Sequence, residues 1–227
     1  MKYIIKRIYT YIMLVFNVFF PKFIARNALL WNVKISCQEK AGIELKNAYI
    51  HKTKIKMVGQ GHKISVKGRI YNSEIEVHGR NNKLIFEEES EMHDTTIIVR
   101  GNDLLFYIGK NSRMGGGRIV IMGQSNKITI GINCMLSDQL QLWSTDSHPI
   151  YDADMKVLNP SSPIIINDGV WIGSCATILK GVTIGEGAIV GMNSVVTRDV
   201  PSHSICVGNP AKTVRSNVTW QREYISM

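Results

Sequence analysis

The chain has 227 residues, of which 44% are hydrophobic and 20% are charged. This balance fits one large globular domain and excludes a wholly disordered chain. The four cysteines, Cys37, Cys134, Cys175 and Cys206, are widely separated and form no C-x-x-C pair. That spacing argues against a zinc site or a disulfide framework and favours a reducing, cytoplasmic compartment. The net charge of +9 is concentrated at one end, because residues 1–70 contain 14 Lys and Arg against two acids.

The first element in the chain is apolar and has basic residues before it. The 13 residues Ile8–Phe20 are strongly apolar, with Lys2, Lys6 and Arg7 ahead of them. No small-x-small cleavage site follows, and the segment is shorter than the ~20 residues that span a bilayer. The sequence therefore predicts a helical segment over residues 1–35.

Two interpretations of this segment stay open. Residues 1–22 form an interfacial helix that contacts the inner face of the membrane peripherally, or they pack on the protein body or on a sister subunit. The positive charge of residues 1–70 would attract anionic partners such as a lipid surface or an acidic polysaccharide. The alternative interpretation is a solvated basic face that keeps the protein soluble. We expect no nucleic-acid partner, because no stacking aromatics are interleaved on a recognisable module.

A long repeat follows in the N-terminal half. Each unit begins at an isoleucine and has a glycine four residues later. These pairs are Ile55 and Gly59, Ile75 and Gly79, Ile97 and Gly101, and Ile119 and Gly123. The spacings of 20, 22 and 22 residues indicate coils that are each enlarged at one corner, at residues 60–62, 80–82 and 124–126.

A strict period of six follows in the C-terminal half. Its aliphatic lead residues are Ile166, Ile172, Ile178, Ile184, Val190 and Val196. This period fits neither an α-helix nor a simple strand, but it fits short strands separated by turns, with three strands per triangular coil of about 18 residues. The same phase appears at Ile130, Leu136 and Leu142, and residues 148–165, which contain three prolines, interrupt it as a projecting loop. The sequence predicts an all-β, single-stranded parallel β-helix over residues 36–215, with a tail over 216–227.

Three stretches carry a resemblance to a known family. They are Ile130–Asp152 with S-H-P-I-Y-D, Ile164–Pro201, and Val207–Arg215 with G-N-P-A-K. In this order they resemble the hexapeptide-repeat acyltransferases, in the branch of maltose, galactoside and xenobiotic O-acetyltransferases. The first 100 residues look instead like bacterial capsule and O-antigen acetyltransferases. The resemblance implies a left-handed β-helix, acetyl-CoA as cosubstrate, no metal, and a homotrimer with active sites between subunits.

The resemblance also implies site residues. His148 is the general base, a role that suits an imidazole because it titrates near neutrality. Asp146 is a candidate to orient it, and the Ser174 backbone N–H is the candidate oxyanion donor. Ser144, Asp146 and His148 point the same way on an extended strand, but hydrolase triads converge from separate segments, so we reject Ser144 as a nucleophile. The residues that the resemblance places along coenzyme A are Ser174, Gly191, Met192, Thr197, Arg198, Lys212 and Arg215.

For the acceptor, the resemblance indicates Trp171 as a wall of the site, and Trp143 is a further candidate. The sugar acetyltransferases hold the acceptor with an asparagine about 30 residues before the histidine, where this chain reads Arg113-Met-Gly-Gly-Gly-Arg118. Arg113 and Arg118 would suit an anionic saccharide, and a glycine-rich corner of the coil is the alternative.

The predicted function is O-acetylation of a sugar hydroxyl in a capsular or lipopolysaccharide building block. The alternatives are N-acetylation of an amino-sugar nucleotide and, in a different class, a non-catalytic β-helix scaffold at the membrane surface. A carbonic anhydrase of the same fold would need three metal-binding histidines from adjacent coils, and of the histidines only His148 lies in the right region.

Overall fold

The structure is a computed structural model that describes residues 22–37 and 41–223. Within these ranges the chain winds as one triangular β-helix of 26 strands and forms no α-helix. In the described part of the chain, no helix is long and apolar enough to cross a bilayer. The apolar segment Ile8–Phe20 lies outside the described residues.

The strands form three faces, and each face is a sheet of parallel strands from successive coils, except that the last strand of face B, β26, is antiparallel. Face A contains β1 (Lys22–Arg26), β4 (Gly42–Lys46), β7 (Lys63–Val66), β10 (Lys83–Phe86), β13 (Leu105–Ile108), β16 (Lys127–Ile130), β19 (Ile164–Ile166) and β22 (Thr183–Ile184). Face B contains β2 (Leu29–Trp31), β5 (Tyr49–His51), β8 (Arg69–Tyr71), β11 (Glu91–His93), β14 (Arg113–Met114), β17 (Met135–Leu136), β20 (Trp171–Ile172), β23 (Ile189–Val190), β25 (Ser204–Gly208) and β26 (Ala211–Ser216). Face C contains β3 (Lys34–Cys37), β6 (Lys54–Gln60), β9 (Glu74–Arg80), β12 (Thr95–Asn102), β15 (Gly117–Gln124), β18 (Leu140–Trp143), β21 (Thr177–Leu179) and β24 (Val195–Val196).

The predicted repeats are the register of these sheets. The four isoleucines of the long repeat are direct partners on face C, and the file continues through Leu142 and Ile178 to Val196. All these side chains are buried, as are the six lead residues of the hexads. Each contributes roughly 1.5–3 kcal/mol by leaving water, so a continuous aliphatic column stabilises the β-helix.

The enlarged corners also lie where the spacing predicts them, between faces C and A. Gly61, Asn81 and Ser125 turn the chain there with φ of 73°, 55° and 51°. One coil further along, the two-residue corner is replaced by a loop over residues 144–163. Both bounds of the predicted loop 148–165 differ from those of this loop. It begins after Trp143, and it ends before Ile164–Ile166, which alternates buried and half-buried positions as strand β19.

The prediction of a helix over residues 1–35 is wrong for the part that the structure describes. Residues 22–37 form a full coil, in which Lys22 pairs with Gly42 and Ile35 pairs with Ile55. Asn27 and Asn32 turn its corners with φ of 53° and 52°, a conformation that asparagine tolerates better than most residues. The corner asparagines therefore favour strands joined by turns over the helix that the apolar residues suggested.

The C-terminal end is closed by a hairpin and a returning segment. Strand β26 pairs antiparallel with β25, so the last coil does not expose an open strand edge on face B. The chain then turns back along the corner between faces A and B, where Val218 N–H donates to His203 O at 3.0 Å. Residues 218–223 of the predicted tail are thus packed on the β-helix.

Candidate active site

The loop over residues 144–163 leaves and rejoins the β-helix at one point. The Asn126 side chain amide donates to Ser144 O at 3.0 Å and to Ser144 Oγ at 2.9 Å. At the other end of the loop, Ser162 N–H donates to the same Ser144 carbonyl at 3.1 Å. Ser144 is completely buried, which agrees with its rejection as a nucleophile.

His148 lies in this loop, and its side chain is exposed. Its backbone is held on both sides, because its N–H donates to Asp146 O at 2.8 Å and its C=O accepts from Asn159 Nδ2 at 2.9 Å. Within the described residues, the imidazole itself makes no hydrogen bond or ion pair. The ring is therefore accessible to an incoming hydroxyl while its backbone is fixed.

Asp146 does not contact the imidazole directly. Its Oδ2 accepts from Lys180 Nζ at 2.6 Å and from Asn159 Nδ2 at 2.8 Å. The hydrogen bond from Lys180 is the main reason that the pKa of Asp146 is lowered. Desolvation opposes this shift, and the hydrogen bond from Asn159 adds to it. Asp146 is thus anionic at neutral pH, and any influence on His148 passes through the backbone and Asn159. Sequence reasoning missed Asn159 and Lys180, because neither falls in a motif.

Two of the four predicted acceptor residues lie on face C, beside the loop. Trp143 ends β18 and is half-buried, with its Nε1 donating to Gln141 Oε1 at 3.0 Å. Arg118 is exposed and pairs in register with Gln141 on the neighbouring strand. The structure therefore places Arg118 and Trp143 on face C, the face whose strand β18 leads into the loop of His148.

The other two lie on face B. Trp171 packs against Trp220 of the C-terminal segment, with ring centroids 5.8 Å apart. Arg113 Nε lies 3.5 Å from Glu91 Oε2 in an ion pair. Arg113 and Arg118 thus diverge onto different faces, and in one chain Trp171 does not lie on the same face as His148.

The residues expected along coenzyme A fall into three groups. Ser174, Gly191 and Met192 lie at the corner between faces B and C, where Asn193 N–H donates to Ser174 O at 3.0 Å. Lys212 and Arg215 are exposed on β26. The remaining two residues are exposed after the end of β24, at the corner between faces C and A; they are Thr197 and Arg198.

A cavity of about 700 Å³ lies under the returning C-terminal segment, at the corner between faces A and B. Asp168, Glu186, His203, Trp220 and Arg222 are among the residues that line it. No pattern in the sequence predicts this cavity, because residues of the tail form part of its wall. Among the residues that the structure describes, no three His, Cys, Asp or Glu side chains are grouped so that they could hold a metal ion.

The C-terminal half of the chain is similar to known acetyltransferases. Residues 163–198 match the model described as bacterial transferase hexapeptide (six repeats). The chain is 37% identical over 136 residues to a polysialic acid O-acetyltransferase of Escherichia coli O1:K1 / APEC, covering 60% of this chain and 43% of that protein. A putative acetyltransferase of Schizosaccharomyces pombe is 47% identical over 92 residues, covering 39% of this chain and 42% of that protein. The chain spans less than half the length of these curated relatives.

Two solved structures are similar over most of the chain. The polySia-specific acetyltransferase NeuO has a TM-score of 0.73 and 28% identity, covering 90% of this chain and 84% of that one. The polysialic acid O-acetyltransferase OatWY has a TM-score of 0.76 and 27% identity, covering 92% and 94%. Residues 163–198 carry the hexapeptide repeat of bacterial transferases, and the described chain has the fold of these two enzymes, the left-handed parallel β-helix.

Proposed function

We propose that this protein is an acetyl-CoA-dependent O-acetyltransferase that modifies a hydroxyl of an anionic saccharide, with His148 as the general base. The observation that carries the proposal is the exposed imidazole of His148 on a loop whose backbone is fixed by Asp146 and Asn159. The similarity to two polysialic acid O-acetyltransferases over about nine-tenths of the chain supports the reaction class.

The chemistry follows from what acyl transfer requires. The His148 imidazole would accept the proton of the acceptor hydroxyl while that oxygen attacks the acetyl carbonyl. The backbone N–H of Ser174 would donate to the oxyanion that develops on the carbonyl oxygen. The protonated His148 would then return its proton to the departing thiolate of coenzyme A. Lys212 and Arg215 are suited to the phosphates of the cosubstrate, because charge-assisted bonds to phosphate are strong.

We propose that two chains contribute to this site. Ser174 and the anchored ends of the His148 loop lie at opposite edges of face C, separated by strand β21 and its flanking turns. Five extended residues cover roughly 16 Å, and such a separation favours a site shared between chains. The family resemblance implies a homotrimer, in which His148 of one subunit would meet Ser174 and Trp171 of a neighbouring subunit.

The charge on face C indicates the kind of acceptor. Arg118 lies on the same face as Trp143, and Arg100, Lys54 and Lys56 are exposed on the preceding strands of that face. Glu76 is 3.9 Å from Arg100 and compensates part of this charge. An acidic saccharide lying along face C would meet several cations before it reaches His148, and this field would attract it over a neutral one.

We propose a cytoplasmic location in which the basic N-terminal coils are turned toward an anionic surface, either the membrane or the acceptor itself. Co-sedimentation of the full chain with vesicles that contain phosphatidylserine, compared with neutral vesicles, tests the membrane. Equal binding of the protein to both kinds of vesicle would mean that the basic coils face the saccharide acceptor and not the membrane.

Transfer of label from acetyl-CoA to a panel of saccharides tests the function. The panel includes polysialic acid, a neutral oligosaccharide and an amino-sugar nucleotide. We expect labelling of the acidic saccharide, and a loss of about 10²- to 10⁴-fold in His148→Ala with an unchanged melting temperature, because His148 is exposed. His51→Ala, on face B, is the matched control. Labelling of the amino-sugar nucleotide alone would indicate N-acetylation, and no labelled product would favour a scaffold.

A further inference from the structure

The geometry points to Asn159 and Lys180 as the residues that position His148. This inference rests on the proposed function, since it assigns to them the task of holding the general base in place. Neither residue contacts the imidazole, so both would act through the backbone of the loop.

Asn159 replaces a missing strand neighbour. Residues 148–150 have left the coil, so their backbone groups have no partner on a neighbouring coil. The Asn159 side chain amide donates to His148 O at 2.9 Å, and its Oδ1 accepts from Ile150 N–H at 2.6 Å. Pro149 between them has no N–H to satisfy. The Asn159 carboxamide therefore makes the two backbone hydrogen bonds, to His148 C=O and from Ile150 N–H, that an adjacent parallel strand would make.

Lys180 connects this arrangement to the rigid body of the β-helix. It follows strand β21, which pairs with β18 and β24 on face C. Its Nζ donates to Asp146 Oδ2 at 2.6 Å and to Asn159 O at 3.0 Å. Asp146 in turn accepts the N–H of His148 with its backbone carbonyl. The path from the coil to the base runs through Lys180, then through Asp146 and Asn159, to both sides of His148.

The expected consequence is a loss of turnover without a loss of donor binding. Misplacement of a catalytic group by about 1 Å can lower the rate about 100-fold. Ser174 and Met192 are candidates for binding acetyl-CoA and lie at the other corner of face C. Within one chain they do not contact the loop residues that Asn159 holds. Asn159→Ala and Lys180→Met should therefore lower kcat about 10- to 100-fold and change the KM for acetyl-CoA less than about twofold.

Two further variants and two controls sharpen this expectation. Lys180→Arg keeps a cation within reach of Asp146 and should retain most of the activity. Asn159→Asp keeps the acceptor for Ile150 N–H but loses both donated bonds, so it should behave as Asn159→Ala. Lys156→Met and Asp154→Ala change exposed side chains of the same loop and should leave kcat unchanged.

The decisive measurement is made in the His148→Ala background. If Asn159 acts only by positioning His148, adding Asn159→Ala to His148→Ala lowers the residual rate no further. An equal loss in both backgrounds would overturn the inference.

Amide hydrogen exchange at Ile150 supplies a readout that needs no acceptor. Exchange should accelerate at least tenfold in Asn159→Ala and stay as in the wild type in Lys156→Met. Unchanged protection at Ile150 would refute the positioning role even in an active enzyme. An inactive wild type in which Ile150 still depends on Asn159 would refute the proposed function alone.

Discussion

The indole of Trp220 packs on that of Trp171 at an interplanar angle of 45°, and its Nε1 donates to Gly169 O at 2.7 Å. Two residues further on, Arg222 Nη2 donates to Asn111 O at 2.6 Å and to Cys134 O at 3.0 Å. Desolvation at this place, and then the charge of Arg113, lower the pKa of Arg222. The C-terminal segment is thus fastened across several coils and covers the residue predicted to wall the acceptor site.

Trp220→Ala should release this segment. Aromatic pairs contribute about 0.5–1.5 kcal/mol beyond their buried area, and about 1.4 kcal/mol is a factor of ten in an opening equilibrium. Under native conditions, we expect trypsin to cleave after Arg222 about ten times faster in Trp220→Ala than in the wild type. Mass spectrometry of the products over time measures the rate. Trp220→Phe keeps a ring against Trp171 and should show a smaller increase. Identical cleavage rates in all three proteins would mean that Trp220 does not fasten the segment.

The glycine file on face C allows a test of the coil stacking. Gly79, Gly101 and Gly123 are direct register partners, and Gly101 has φ of 138°. A Cβ at Gly101 would collide with the carbonyl oxygen of Gly123, and the backbone conformation is itself unfavourable for other residues. Gly101→Ala should therefore destabilise the protein by about 3 kcal/mol and lower its melting temperature by roughly 6–12 °C.

Gly42→Ala is the matched control for this substitution. Its Cβ would approach no atom closer than Lys63 Cγ at 3.8 Å, which is an ordinary contact. The melting temperature of Gly42→Ala should stay close to that of the wild type. Equal melting of the two variants would contradict the close stacking at Gly101.

The β-helix could be predicted from the sequence because residues one repeat apart in the sequence are register partners on neighbouring strands. Ile75 lies on Ile55 and Ile97 lies on Ile75 because each coil stacks on the one before. The coil over residues 22–37 was not predicted, because a single coil shows no repeat and because its apolar residues resemble those of a helix. The available signal was the residue type at Asn27 and Asn32, because asparagine tolerates the positive φ that these corners adopt.

Only motif residues could be proposed for the site from the sequence. The roles of His148 and Ser174 come from the resemblance and stay predictions. Asn159 and Lys180 have no periodic or motif context, and their contacts span the loop. The partner of Trp171 is Trp220 in the tail, and no pattern connects them. The divergence of Arg113 and Arg118 was concealed because the glycine run between them turns the chain from face B to face C.

Asp146 should titrate in a way that depends on Lys180. Because the folded-state pKa of Asp146 is lowered below its ordinary value of 3.8, the ion pair supports the loop above about pH 4. This support is lost as the pH falls through the lowered pKa. In Lys180→Met, which lacks the main cause of the shift, the pKa of Asp146 should rise toward its ordinary value. Carboxyl ¹³C NMR titration measures it, and Lys156→Met should leave the Asp146 midpoint where it is. An unchanged midpoint in Lys180→Met would contradict the 2.6 Å contact.

Ile184→Asp tests whether the last coils depend on the aliphatic column. Ile184 is completely buried on face A, where it pairs with Ile166 and bridges to Val200. An unpaired carboxylate at this position has no hydrogen-bond partner inside the prism, and its burial costs several kcal/mol or more. We expect Ile184→Asp to be insoluble, or to lose its cooperative melting transition near the C-terminal coils. Met155→Asp introduces the same charge at a side chain that is 71% exposed in the loop, and it should melt as the wild type does. Because both variants add one carboxylate, a difference between them reports the burial at Ile184, and normal melting of Ile184→Asp would refute the packed column.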